Sequence, residues 1–110
     1  MNIKNKNLLV NKCYLNGTWV SSEKKIKVIN PATGQLIAEV PDFGKKETAN
    51  AIDAAEHAFK TWSKFTAHER SKILKKWYDL VIDNQDDLAT IMTAEQGKPL
   101  SEAKGEIIYA

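Results

Sequence analysis

Hydrophobic and polar residues alternate along the first part of the chain. Aromatic and branched residues flank the pair Asn16-Gly17, which readily adopts the positive φ angles of a tight hairpin turn. This pattern predicts a hairpin over residues 13–20. Two further strands are predicted at residues 26–29 and 36–40, with a turn at 30–34 between them and Pro41 closing the second. These segments predict a short antiparallel β ribbon.

The hydrophobic period lengthens to about 3.6 residues from Lys45 onward, which indicates helices. The apolar stripe of the first predicted helix consists of Ile52, Ala55, Phe59 and Trp62. Thr66 and Glu69 form a capping-box pattern at the start of the second helix. Asn84 is predicted to cap a third helix that Gly97 ends, and Pro99 suits the first turn of a fourth. About four amphipathic helices are therefore predicted after the ribbon.

Neither end of the chain carries the signals of a closed domain. Residues 1–12 are rich in Asn and Lys and show no hydrophobic period, so we interpret them as a flexible arm. The fourth helix continues to Ala110 without a glycine, a basic cap or a polar tail. We therefore expect residues 13–110 to be an incomplete domain, truncated before its fold is finished.

Composition and charge narrow the classes of partner. With 43% hydrophobic and 27% charged residues in a chain of 110, the protein has the composition of a soluble globular domain. A net charge of +2 gives no basic surface for nucleic acid, and no apolar run reaches the length of about 18 residues that a membrane span needs. A single cysteine and no secretory signal predict a cytoplasmic protein.

The residues that usually carry chemistry do not form a site. Cys13 lies in a predicted strand without a nearby base, and His57 and His68 fall on different helices without partners at metal-ligand spacing. No two of the five glycines have the spacing of a phosphate-binding loop. We therefore predict no catalytic and no cofactor-binding residue in this chain.

Several spaced motifs resemble the opening of aldehyde dehydrogenases. In chain order they are residues 14–20, 29–34 with the Val40-Pro41 ending, 51–62, Arg70 with Ile73-Leu74, and 95–107, Glu-Gln-Gly-Lys-Pro-Leu-Ser-Glu-Ala-Lys-Gly-Glu-Ile. The last run is most similar to bacterial NAD(P)-dependent succinate-semialdehyde dehydrogenase. The resemblance implies the family's α/β fold, of which this chain holds only the N-terminal portion.

The resemblance also implies an activity for a longer parent protein. In that family a cysteine attacks the aldehyde, hydride passes to NAD(P)⁺, and a glutamate activates the water that releases the acid, usually within a homo-oligomer. Those residues follow the segment matched here, and Cys13 corresponds to none of them. NAD(P) is therefore implied for the parent and is not expected to bind this chain alone.

One ligand set is implied within the chain itself. Some relatives hold a monovalent cation with two backbone carbonyls before the Asn-Pro turn and an acidic side chain before Gly-Lys-Pro. These positions are Val28, Ile29 and Glu95 here, although the family usually has aspartate at the position of Glu95. Carbonyl and carboxylate oxygens suit such an ion.

Three hypotheses follow for the chain as it stands. It is an inactive truncated dehydrogenase, a binding module that docks on a separate downstream fragment or a full-length homologue, or an inert gene remnant. The last predicts poor solubility, because apolar faces made for absent domains would be exposed.

Overall fold

The strands fold as two separate antiparallel ribbons in the computed structural model, which describes residues 1–110. Strand β1 (Cys13–Leu15) pairs with β2 (Thr18–Val20), and β3 (Lys25–Ile29) pairs with β4 (Leu36–Pro41). Asn16 and Gly17 have φ angles of 46° and 79°, which confirms the predicted hairpin turn. The antiparallel pairing is also confirmed. The sequence predicted one ribbon, but no backbone hydrogen bonds pair β2 with β3, so the strands form two ribbons.

Four helices follow the ribbons in the predicted order. They are α1 (Lys45–Trp62), α2 (Ala67–Asp83), α3 (Gln85–Gln96) and α4 (Leu100–Tyr109). Helix α3 ends at Gly97, whose φ of 76° is left-handed, as the sequence predicts. None of the helices combines the length and apolar character that crossing a membrane requires.

The capping residues match the sequence at one helix and differ at another. Thr66 Oγ1 accepts from the Glu69 amide at 3.2 Å, and Glu69 accepts from the Thr66 amide at 2.8 Å, which confirms the capping box of α2. Asn84 occupies the N-cap position of α3, but the prediction that its side chain caps that helix is wrong. Its amide group instead donates to Leu80 O at 2.8 Å, a carbonyl in the last turn of α2 that also accepts from the Asn84 backbone amide.

Helices α3 and α4 form the best-packed part of the chain. Ala89 and Ala103 are completely buried, and such small side chains allow two helices to approach closely. Gln85 Nε2 donates to Lys104 O at 3.1 Å, and Lys104 Nζ lies 2.7 Å from Asp86 Oδ1. The first turn of α3 therefore lies beside the middle of α4.

Most of the apolar surface lies outside that pair. Only five residues of 110 are buried, and none of them is a large side chain that is fully buried. The accessible surface is 8601 Å², against roughly 6,100 Å² for a compact monomer of this mass. The radius of gyration is 16.5 Å, against about 13 Å for a compact domain of this length. The chain therefore exposes about 2,500 Å² more surface than a closed domain of its size.

The N-terminal arm has defined contacts. Residues Lys6–Leu8 form a short 3₁₀ helix, and Ile3 is buried. Backbone amides of Lys4 and Asn5 donate to the carboxylate of Asp87 on α3. The arm, interpreted from its composition as flexible, thus has a docking position on α3.

Candidate functional site

The turn between β3 and β4 is built by the side chain of Asn30. Its Oδ1 accepts from the amides of Ala32 and Thr33 at 2.9 and 3.3 Å, and its carbonyl accepts from the Gly34 amide at 2.8 Å. Asparagine favours turns because its side chain bonds to backbone groups two residues on. The Asn-Pro-x-x-Gly pattern therefore fixes a rigid loop from local bonds alone.

This turn sits against the end of α3. The Pro31 ring approaches Gly97 so closely that a Cβ atom at Gly97 would lie 3.0 Å from Pro31 Cγ. Thr93, whose Oγ1 is the one buried side-chain polar atom without a partner, borders the same groove as Asn30. The turn and α3 together thus form a seat that leaves one polar group unsatisfied.

The residues predicted to hold a cation are divided between the strand before this turn and helix α3. Val28 is half-buried and Ile29 is exposed, at the end of β3 where the pairing with β4 becomes irregular. Glu95 is exposed, forms no ion pair in the chain, and borders a second groove with Leu88 and Ile107. The structure thus places the two carbonyl positions beside the turn and the carboxylate on another face of α3. The cation site stays a prediction.

The candidate nucleophile and bases remain apart. Cys13 is exposed and free at the start of β1. His57 lies on α1 and His68 on α2, and both are exposed. No three histidine, cysteine, aspartate or glutamate side chains come together as a metal site. These residues form no catalytic arrangement with one another.

The helix N-termini, where phosphates commonly bind, already carry acidic side chains. Glu47 Oε2 accepts from the Gly44 amide at 3.1 Å at the start of α1. Glu69 occupies the equivalent place in α2, where hydrogen bonds from Thr66 hold the pKa of its carboxyl below the usual value. Asp87 and Glu102 lie in the first turns of α3 and α4. These carboxylates place negative charge at all four helix N-termini, which weakens the attraction of those ends for phosphates.

An apolar groove lies between α2 and α4. Its lining is entirely hydrophobic and consists of Leu74, Trp77, Tyr78, Val81, Ile107 and Ala110. Trp77 is 67% exposed, although it lies in the middle of the apolar stripe of α2. A contiguous apolar surface of this kind marks an interface rather than a solvent-facing side. We name it the α2–α4 groove.

A second apolar surface lies between the first hairpin and α1. Tyr14 and Leu15 face the alanine side of α1, which includes Ala51, Ala54 and Ala55. The Tyr14 and Trp19 rings meet edge to face with centroids 5.2 Å apart. Two large apolar side chains of α1 stay exposed to solvent: Ile52 is 62% exposed and Phe59 is 61% exposed.

The sequence is similar to known proteins over its whole length. Residues 19–110 match the aldehyde dehydrogenase family. The chain is 52% identical to a glutarate-semialdehyde dehydrogenase of Pseudomonas putida and 47% identical to a succinate-semialdehyde dehydrogenase [NADP(+)] of Escherichia coli. Each alignment covers 100% of this chain and 23% of the relative.

The fold is similar as well. A crystal structure of succinate-semialdehyde dehydrogenase from Burkholderia pseudomallei matches with a TM-score of 0.94 and 49% identity, over 99% of this chain and 23% of that one. The chain thus spans about 23% of the length of the relatives it matches. The α2–α4 groove and the other open faces belong to a segment that its relatives carry within a much longer polypeptide.

Proposed function

The chain belongs to the aldehyde dehydrogenase family, and from that membership we propose that it is the N-terminal supporting segment of an NAD(P)-dependent semialdehyde dehydrogenase. The parent activity is oxidation of succinate semialdehyde, or of the homologous glutarate semialdehyde, to the dicarboxylate. The observation that carries the proposal is 47–52% identity over the whole chain to enzymes named for these two substrates.

Within such an enzyme this segment has a structural role. Its helix ends carry carboxylates that weaken their attraction for phosphates and its cysteine and histidines stand apart, so no residue here moves a proton or binds the aldehyde. Its contribution is the open apolar surface of α1, α2 and α4, which would cover residues of the remaining polypeptide. Hydride transfer needs a bound cofactor and a positioned nucleophile, and this segment provides neither.

The activity proposal is tested with the purified chain. We expect no increase in NADPH absorbance over a no-protein control when the chain is mixed with succinate semialdehyde and NADP⁺, or with glutarate semialdehyde. Turnover well above the control in either mixture would refute the supporting role.

A second candidate function is docking in trans, for which the α2–α4 groove is the supporting observation. Covering the excess surface of about 2,500 Å² would bury about 5,000 Å² over both partners, which lies within the range of obligate interfaces. The test mixes the chain with a polypeptide that comprises the remaining downstream part of the Escherichia coli relative. We expect co-elution and recovered dehydrogenase activity.

Matched variants sharpen the docking test. Trp77→Glu should abolish recovery, because a buried unpaired carboxylate is strongly unfavourable. Lys72→Glu makes a negative charge on the same helix, at an exposed position outside the groove, and should leave recovery intact. Equal loss in both variants would mean that charge on α2, rather than the groove, governs docking.

The remaining parts of the proposal concern ligands and surroundings. The monovalent cation at Val28, Ile29 and Glu95 is tested by ²³Na line broadening, which should fall in Glu95→Gln and persist in Glu102→Gln.

A cytoplasmic location, NADP⁺ as the preferred cofactor and a homo-oligomeric parent complete the proposal. The Escherichia coli relative is named for NADP(+), which supports NADP⁺ as the cofactor of the parent enzyme.

A further inference from the structure

Two consecutive backbone amides of the arm converge on one carboxylate. Lys4 N lies 3.0 Å from both oxygens of Asp87, and Asn5 N lies 2.7 Å from Oδ2. Asp87 is only 9% exposed, although it lies in the first turn of a helix. Hydrogen bonds to an ionised acceptor are about twice as strong as neutral ones. The carboxylate is therefore a specific anchor for the arm backbone.

Two further contacts fix the same segment. Asn5 Nδ2 donates to Asn84 Oδ1 at 2.9 Å, so the side chain expected to cap α3 serves the arm instead. Ile3 is 7% exposed and is the only branched aliphatic side chain of the whole protein that is buried. Trp77 and Ile52 are exposed in this chain, whereas Ile3 is buried. The arm therefore occupies a defined position on the surface.

The first residue of the arm reaches the β3–β4 turn. Met1 borders the groove formed by Asn30 and Ala32 of the turn and by Thr90 and Thr93 of α3. Residues 1–5 thus extend from that groove to Asp87 at the beginning of α3. Pro31 of the turn also lies close to Gly97, the residue that ends α3.

We propose that residues 1–5 are a strap that seats the β3–β4 turn against α3, with Asp87 as the positioning residue that holds the strap. The ionised carboxylate fixes Lys4 and Asn5, Ile3 anchors the backbone between the two ends, and Met1 lines the groove together with Ala32. The strap acts on the turn through the arm, since Asp87 does not itself border the turn groove.

The charged groups around Asp87 come from four elements. Lys4 of the arm, Asp83 at the end of α2 and Asp86 of α3 border the same depression as Asp87. Lys104 of α4 lies nearby but pairs with Asp86. Asp86 is therefore the matched control: it is a neighbouring aspartate on the same helix turn that accepts no bond from the arm.

The test uses the full chain with Asp87→Asn and Asp86→Asn. Amide exchange measured by NMR reports the strap, and the methyl resonances of Ala32 and Thr93 report the seat of the turn. In Asp87→Asn we expect Asn5 exchange to rise by about tenfold or more, since bonds to charged acceptors are the stronger class. The Ala32 and Thr93 resonances should shift, while Asp86→Asn leaves both readouts within about twofold of the parent chain.

A second variant and a folding control keep the result interpretable. Ile3→Ser should produce the same Ala32 shift, because it loosens the other anchor. The Ala89 amide must stay protected in every variant, which shows that the α3–α4 pair is intact. The proposal is overturned if Ala89 is protected while Asn5 already exchanges at the coil rate in the parent chain. An equal response of the two aspartate variants, or an unmoved Ala32 methyl in Asp87→Asn, also overturns it.

None of these readouts depends on enzymatic activity. Substrate turnover by this chain alone would refute the proposed supporting role but would not contradict the strap. An unprotected Asn5 amide would refute the strap but would not contradict the supporting role.

Discussion

Helices α3 and α4 bury small side chains against each other, whereas α1 and α2 keep large apolar side chains in solvent. Ala89 and Ala103 are fully buried, while α1 and α2 contain no buried residue. All four helices are amphipathic in sequence. An apolar stripe therefore predicts that a helix face is packed against other residues. It does not predict that those residues lie within the same 110-residue chain.

The packed pair should be the more sensitive region to added volume. Ala103→Leu should destabilise the chain by about 1–3 kcal/mol, because the closely packed helices leave no space for three further heavy atoms. Urea unfolding followed by circular dichroism measures the change. Ala49→Leu, at an exposed position of α1, should stay within about 0.5 kcal/mol. Similar losses in the two variants would remove the contrast between the regions.

Two glycines in or next to the packed pair should respond with opposite signs. Gly97→Ala should cost about 1–2 kcal/mol, because φ is 76° and the new Cβ would meet Pro31 at 3.0 Å. Gly105→Ala lies inside α4 with nothing within 4 Å of its Cβ, and should stabilise the helix by about 0.8–1 kcal/mol. Thermal unfolding of both variants checks the signs, and a destabilising Gly105→Ala would contradict the open surface there.

Helix α2, which lacks buried side chains, should depend on its cap. Thr66→Ala should lower helix stability by about 1 kcal/mol, because it removes the acceptor for the Glu69 amide. Thr61→Ala makes the same chemical change at an exposed residue of α1 whose side chain accepts and donates no hydrogen bond. Ellipticity at 222 nm in a urea series compares them, and an equal fall would show that the cap contributes nothing.

The exposed stripe should tolerate truncation in the chain by itself. Trp77→Ala should change the free energy of unfolding by at most about 0.5 kcal/mol, against about 3–5 kcal/mol for a buried tryptophan. Leu88→Ala, at a half-buried position of α3, should cost more than Trp77→Ala. A larger loss at Trp77 would mean that α2 is already covered in solution.

The arm should respond to acid through Asp87. Hydrogen bonds from Asn5 and Lys4 hold the pKa of this carboxyl below its ordinary value. The stabilisation is therefore complete above the unfolded pKa of about 3.9. It is lost as the pH falls through the lower folded value. The Ala32 methyl shift should titrate below about pH 3.9 in the parent chain and lose that step in Asp87→Asn. A midpoint above that value would mean that folding raises the pKa of Asp87, which contradicts the prediction.

Local patterns alone determined much of this protein. Asn16-Gly17 predicted its turn because few other residues tolerate two positive φ angles, and Thr66 with Glu69 predicted a cap because both partners lie within one helical turn. The run 95–107 carried the resemblance to the family that the comparisons then showed. Each of these features depends on residues that are close in sequence.

Tertiary structure decided the features that join distant residues. Asn84 and Asp87 read from the sequence as ordinary residues at a helix start, and only the fold brings Lys4 and Asn5 to them across about 80 positions. The only available hint was Ile3, the one aliphatic residue among residues 2–7. Likewise, periodicity gave every helix an apolar face, but close approach at Ala89 and Ala103 decided which faces meet. Long-range contacts depend on shape and loop closure, which a local pattern of residues does not encode.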